Sequence, residues 1–146
     1  MLRILLAVCC LLIAAPHAIA DKEVKTLVSI EDNMGFVGTA MSFELRSDGS
    51  WVLQRRFPPA QRGKQEGKLS EKAMVDLIQD LEKAGAFNPK AKDILEKNPR
   101  VADMAYFAVR RAGEGKGTSL TFQREGPTHK AVKALLDKLA PAKAES

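Results

Sequence analysis

The chain reads as an α+β domain: an antiparallel sheet of about four to five strands in two hairpins, with two to three helices packed on one side. Three observations predict it. Apolar and polar residues alternate in several short segments, glycine-rich turns join those segments in pairs, and two later stretches carry apolar residues at helical spacing. The order is strands, helices, strands, helix, with no internal repeat.

The first strand is predicted where Val24, Thr26, Val28 and Ile30 alternate with Lys25, Leu27 and Ser29. Asn33-Met34-Gly35-Phe36-Val37-Gly38 breaks it with two glycines, a turn able to reach positive φ. Met41, Phe43 and Leu45 then alternate with Ser42, Glu44 and Arg46. Asp48-Gly49 supplies the dihedrals of a tight hairpin, and the return strand from Trp51 to Phe57 puts Trp51 and Leu53 on one face. Pro58 to Gly67 has almost no apolar content and reads as a long exposed loop, with a short strand resuming near Lys68.

A helix follows. Ser70 caps it, Ala73, Met74, Leu77, Ile78 and Leu81 share a face, and Gly85 stands at the C-terminal cap. Asn88-Pro89 is expected to start a second, shorter helix with Ala91, Ile94 and Leu95 inward, stopped at Asn98-Pro99. Met104–Arg111 and Thr118–Arg124 flank Gly113–Gly117 as a second hairpin. Thr128 is expected to cap the last helix, in which Val132, Leu135, Leu136 and Leu139 share a face; Pro141 ends it, and residues 141–146 are a loose, disordered tail.

Residues 1–20 have the form of an export signal: Arg3, an apolar run from Ile4 to Ala15, Pro16, and an Ala18-Ile19-Ala20 cleavage site. The run is shorter than the about 20 residues a membrane span needs, so no stable membrane anchor is expected after cleavage. A secreted or periplasmic chain starting at Asp21 results, with a single domain over residues 21–140. The leader carries Cys9 and Cys10, His17 and one of the 23 basic residues, and none of the 18 acidic ones. The exported domain therefore lacks cysteine, which excludes a disulfide scaffold and a cysteine-based zinc site. Its core alone must hold it together in an oxidising compartment.

No reactive constellation stands out, and no enzyme activity, cofactor or metal is expected. The one histidine left, His129, belongs to no G-x-S-x-G or H-E-x-x-H pattern and is expected to be a surface residue. Glu31 and Asp32 are adjacent on a strand, so their side chains point to opposite faces and cannot share a proton. Gly113, Gly115 and Gly117 lie in a hairpin rather than between a strand and a helix, so they form no phosphate loop. Asp48 and Ser50 lack the further oxygens of a calcium loop.

Arg46, Arg55, Arg56, Arg62, Lys64, Arg110, Arg111, Lys116 and Arg124 lie on the strands or their loops. A basic sheet face with interleaved aromatics can bind nucleic acid. Aromatics make up only 5% of this chain, and most alternate in register with Leu or Val, so a solvated face is expected and a nucleic-acid partner is not.

The order of motifs adds a resemblance. It runs Gly35-Phe36-Val37-Gly38, the Asp48-Gly49 hairpin, Leu69-Ser70-Glu71 opening a helix, Ala86-Phe87, and Asp103-x-x-Tyr106-x-x-Val109 opening a strand. A Pro127-initiated helix with Val132, Leu135 and Leu139 closes it. Over roughly Val28 to Leu139 this series resembles the emfourin family, small proteinaceous inhibitors of thermolysin-like metallopeptidases. Met34 stands where that family usually has the first glycine of Gly-Gly-Phe-x-Gly, and the chain is longer over Pro58–Gly67 and Asn88–Pro99.

The resemblance implies a protein partner, a metallopeptidase, obstructed by a docked loop. An inhibitor needs no catalytic group, only a rigid scaffold presenting a preorganised loop at little entropic cost. The candidate contact residues are Met34, Gly35, Phe36, Val37 and Gly38, with Arg62 and Lys64 adding charge-based contacts to an acidic partner. Two placements of Phe36 are open: offered to a pocket, or tucked under the sheet. The alternative role is a non-inhibitory exported module that binds through a basic sheet face.

Overall fold

The computed structural model describes residues 23–95, 104–113 and 117–142. Six strands make one antiparallel sheet: β1 (Thr26–Met34), β2 (Thr39–Arg46), β3 (Ser50–Arg55), β4 (Gly63–Lys68), β5 (Ala105–Arg111) and β6 (Thr118–Gln123). The helices are α1 (Glu71–Lys83) and α2 (Pro127–Leu139), with 3-10 turns at Gly35–Val37 and Pro59–Gln61. The sheet order is β4-β3-β2-β1-β5-β6, so the first strand in sequence sits at the centre. The α+β class is as expected, with one strand more than expected. The leader and its cleavage site, Asn98-Pro99, Lys116 and residues 143–146 of the expected tail lie outside the described residues.

Register places most of the large apolar strand residues on one face, with Val52 and Tyr106 on the other. Val28 faces Leu45, and Ile30 sits between Phe43 on β2 and Val109 on β5. Phe43 continues to Leu53, and Phe107 to Phe122. All of these are buried, together with Leu81 of α1 and Val132 and Leu136 of α2, so both helices cover the same face. Burying an aromatic such as Phe43 or Phe107 stabilises the fold by roughly 2–3 kcal/mol. The opposite face carries Ser29, Glu31, Ser42, Glu44, Gln54 and Arg110, and no helix of the described residues covers it.

Ser70 caps α1 as expected, its hydroxyl accepting from the Ala73 N–H at 3.2 Å, and Gly85 follows the helix at φ 85°. Four expectations need correction. The second half of Pro58–Gly67 is not a loop: β4 begins at Gly63 and pairs with β3 along its whole length. Its inward residues are Gly63, Gln65 and Gly67, and Trp51 lies across Gly67, where an added Cβ would sit 2.9 Å from the indole. Asn88–Leu95 forms no helix. Its backbone is drawn to the β6 edge, Leu95 N–H donating to Thr121 O at 2.8 Å and Gln123 N–H to Asp93 O at 2.7 Å. Ala91 and Ile94 still pack against the core.

Thr128 does not cap α2, since the cap residue is Gly126 and Thr128 already lies in the first turn. The capping carboxylate comes from Asp93, which accepts the Thr128 N–H and hydroxyl, each at 2.9 Å. Gly126 permits this approach, because a Cβ there would lie 2.8 Å from Asp93 Oδ2. Finally, His129 is not a surface residue; it is 1% exposed. No helix of the described residues is long and apolar enough to cross a membrane.

Candidate functional site

Asn33 starts the β1–β2 turn by accepting the Gly35 N–H on its side-chain oxygen at 2.8 Å. Gly38 N–H donates to Gly35 O, and Met34 N–H donates to Gly38 O, both at 2.9 Å. Gly35 has φ 68° and Gly38 has φ 82° with ψ −158°, a region that only glycine enters without strain. Five residues are thereby held by three hydrogen bonds and two glycine conformations. Between the glycines Phe36 is 85% exposed and Val37 63%. Of the two open placements, the structure has Phe36 outside.

The other candidates separate. Arg62 follows the 3-10 turn that opens at Pro59, and its Nε donates to Arg56 O at 3.4 Å. Lys64 is on β4 and pairs with Glu66 at 2.6 Å, on the face away from the helices. Met34 ends β1, half-buried, opposite Ala105. The turn residues form one unit, whereas Arg62 and Lys64 stand two strands away and line a cleft of about 80 Å³ with Arg55, Gln65 and Ala142.

The expected basic sheet face divides. Arg55 is 5% exposed on the helix side, where it donates to Asp137 at 2.8 Å and to Ala140 O at 2.6 Å, fixing the end of α2. Arg111 covers the Phe87 ring at 4.7 Å, and Arg124 binds Asp32 at 2.7 Å. Arg46 pairs with Glu44. Of the described members, Arg56, Arg62, Arg110 and Arg111 make no ion pair among the described residues.

Sequence reasoning missed two groups. The first is apolar. Phe57 and Met104, each 43% exposed, lie at the same end of the sheet as the Gly35–Gly38 turn, at the end of β3 and the start of β5. The signal for Phe57 was Pro58 directly after it, which ends pairing there. The second is the buried polar cluster around Asp32. Asp32 points inward as the alternation requires, while its neighbour Glu31 points outward and accepts from Thr39 at 3.1 Å.

His129 Nε2 approaches Asp32 Oδ2 to 3.2 Å, off the line of a straight hydrogen bond, and the ring stands edge-on to Phe107. Its Nδ1 accepts the Glu125 N–H at 3.1 Å, held by a left-handed φ of 66° at Glu125. Burial raises the Asp32 carboxyl, but the contact with His129 and the hydrogen bond and charge of Arg124 outweigh it and hold the carboxyl below its ordinary value. Nδ1 is thus hydrogen-bonded inside the protein, while Nε2 lies buried beside the Asp32 carboxylate without an aligned hydrogen bond, so the His129 ring packs α2 against β1. Among the described residues no group of three or more His, Cys, Asp or Glu side chains is placed to hold a metal ion. No protein-family model matches the chain, and no curated protein matches it.

Proposed function

We propose that this chain is an exported binding protein that presents the Gly35–Gly38 turn to the active-site cleft of a thermolysin-like metallopeptidase and obstructs it, without a catalytic step of its own. The observation that carries the reading is Phe36, 85% exposed on a turn that its own hydrogen bonds hold still. A large apolar side chain kept in water by a rigid backbone contributes nothing to the fold and loses little entropy when a pocket takes it up. The partner class comes from the emfourin resemblance of the motif order.

The test is a titration. Mature protein beginning at Asp21 is added to thermolysin and to several related peptidases while peptide hydrolysis is followed. The reading predicts inhibition at near-stoichiometric protein, relieved by Phe36→Ala. Full activity of every peptidase at a large excess of the protein would contradict it.

A further inference from the structure

Among the described residues, four of the six exposed large apolar ones, Phe36, Val37, Phe57 and Met104, occur at one end of the sheet. Their positions follow from the topology. Met104 leads into β5, Met34 ends β1, Phe36 and Val37 join β1 to β2, and Phe57 leaves β3; β5, β1, β2 and β3 are consecutive in the sheet. Three strand spacings of about 4.8 Å make this a row roughly 14 Å long. The β3 exit is fixed to the turn side, because Ala40 O accepts both the Arg56 and Phe57 N–H groups, at 2.7 and 3.2 Å. Pro58, Pro59 and Ala60 continue the row, all exposed.

Charge is distributed unevenly along this end. On the β3–β4 connection that flanks Phe57 stand Arg56 and Arg62, exposed and without an ion-pair partner among the described residues, with Arg62 Nε reaching Arg56 O. On the β6 side Arg124 is neutralised by Asp32 and Glu125, at 2.7 and 3.4 Å. The row is therefore an apolar ridge with one basic shoulder.

We infer that this whole sheet end is the docking element, and that it seats in an elongated apolar cleft of the partner peptidase with an acidic bank facing Arg56 and Arg62. A lone turn would fit a single pit, whereas apolar side chains spread across four adjacent strand ends fit a trough, and the basic shoulder sets which way along it the protein lies. The inference rests on the reading of the Gly35–Gly38 turn as the contact and adds the second loop, the shape of the surface it meets and the polarity of docking.

The experiment measures inhibition of a peptidase that the wild-type mature protein inhibits, at low and high salt, for Phe36→Ala, Phe57→Ala and the double variant Arg56→Glu/Arg62→Glu. Thermal unfolding shows that each remains folded. The ridge predicts about a tenfold loss for Phe57→Ala. It predicts a loss of at least tenfold for the double variant at low salt, shrinking at high salt because screening removes a charge effect and not a packing one. Weakening by Phe36→Ala alone would overturn the ridge and leave the turn reading standing. No weakening by any of the three would overturn both.

Discussion

Two turns of this sheet solve the same backbone problem with opposite surfaces. In the β1–β2 turn Asn33 accepts the Gly35 N–H and Gly38 takes φ 82°; in the β2–β3 turn Asp48 accepts the Ser50 N–H at 3.0 Å and Gly49 takes φ 81°. The second turn shows Ser47 and Asp48 to water, as turn chemistry prefers. The first shows Phe36 and Val37. Closing a hairpin does not require exposed apolar residues, so their presence at only one of the two turns points to a use outside the fold.

The largest expected effect tests the structural footing under the apolar turn. Asp32→Asn leaves Arg124 and His129 facing a neutral group, at a cost of about 3 kcal/mol and a fall in melting temperature of roughly 10 °C. Because the Asp32 carboxyl is held below its ordinary value when folded, the stability it contributes is present above the ordinary carboxylate range. It is lost as pH falls through the folded value. Acid titration of stability should be flatter in the variant than in the wild type between neutral pH and pH values below 4.

The paired glycines sharpen the comparison. Gly49→Ala meets both an unfavourable φ and the backbone oxygen of Leu69, whereas Gly38→Ala meets an unfavourable φ and open space. Gly49→Ala should cost more stability, on the order of 2–3 kcal/mol, and leave inhibition unchanged. Gly38→Ala should cost about 1–2 kcal/mol and weaken inhibition at least tenfold, because it redirects Phe36. Denaturant unfolding together with inhibition titration separates the two. Equal loss of inhibition in both variants would remove the distinction.

What the sequence disclosed divides along a physical line. Strands with one dry face, such as β1 and β2, announce themselves by alternation, and Ser70, Gly49 and Gly85 act on their immediate neighbours, so their roles were readable. β4 was hidden because its inner face is built from Gly63, Gln65 and Gly67, with no large apolar residue to mark it, and Gly67 makes room for Trp51 of another strand. The cap on α2 was hidden because Asp93 reaches it from a distant loop, and His129 looked like a surface residue because its partner Asp32 lies on the first strand. Of the site, the turn itself was readable as a glycine-bounded loop. Phe57, Met104 and Arg56 joined it only when the strand order was known.

Two smaller effects follow. Asp93→Ala removes both bonds to Thr128 and should cost about 1–2 kcal/mol, measured by denaturant unfolding, with inhibition preserved because this contact lies past the edge strand β6, outside the β5-β1-β2-β3 row. On the open face burial, then the charge and hydrogen bond of Glu31, raise the Tyr106 phenol above its ordinary value. Glu31→Gln should move that titration downward, as followed by phenolate absorbance, and leave the melting temperature near that of the wild type.

The claim that the apolar turn and not the polar one is the working surface has a direct measurement: amide hydrogen exchange of the mature protein, free and with saturating peptidase. Added protection at residues 34–38, with Ser47 to Ser50 exchanging as in the free protein, is the predicted pattern. Unchanged exchange at residues 34–38 in a formed complex, or protection confined to the polar turn, would contradict it.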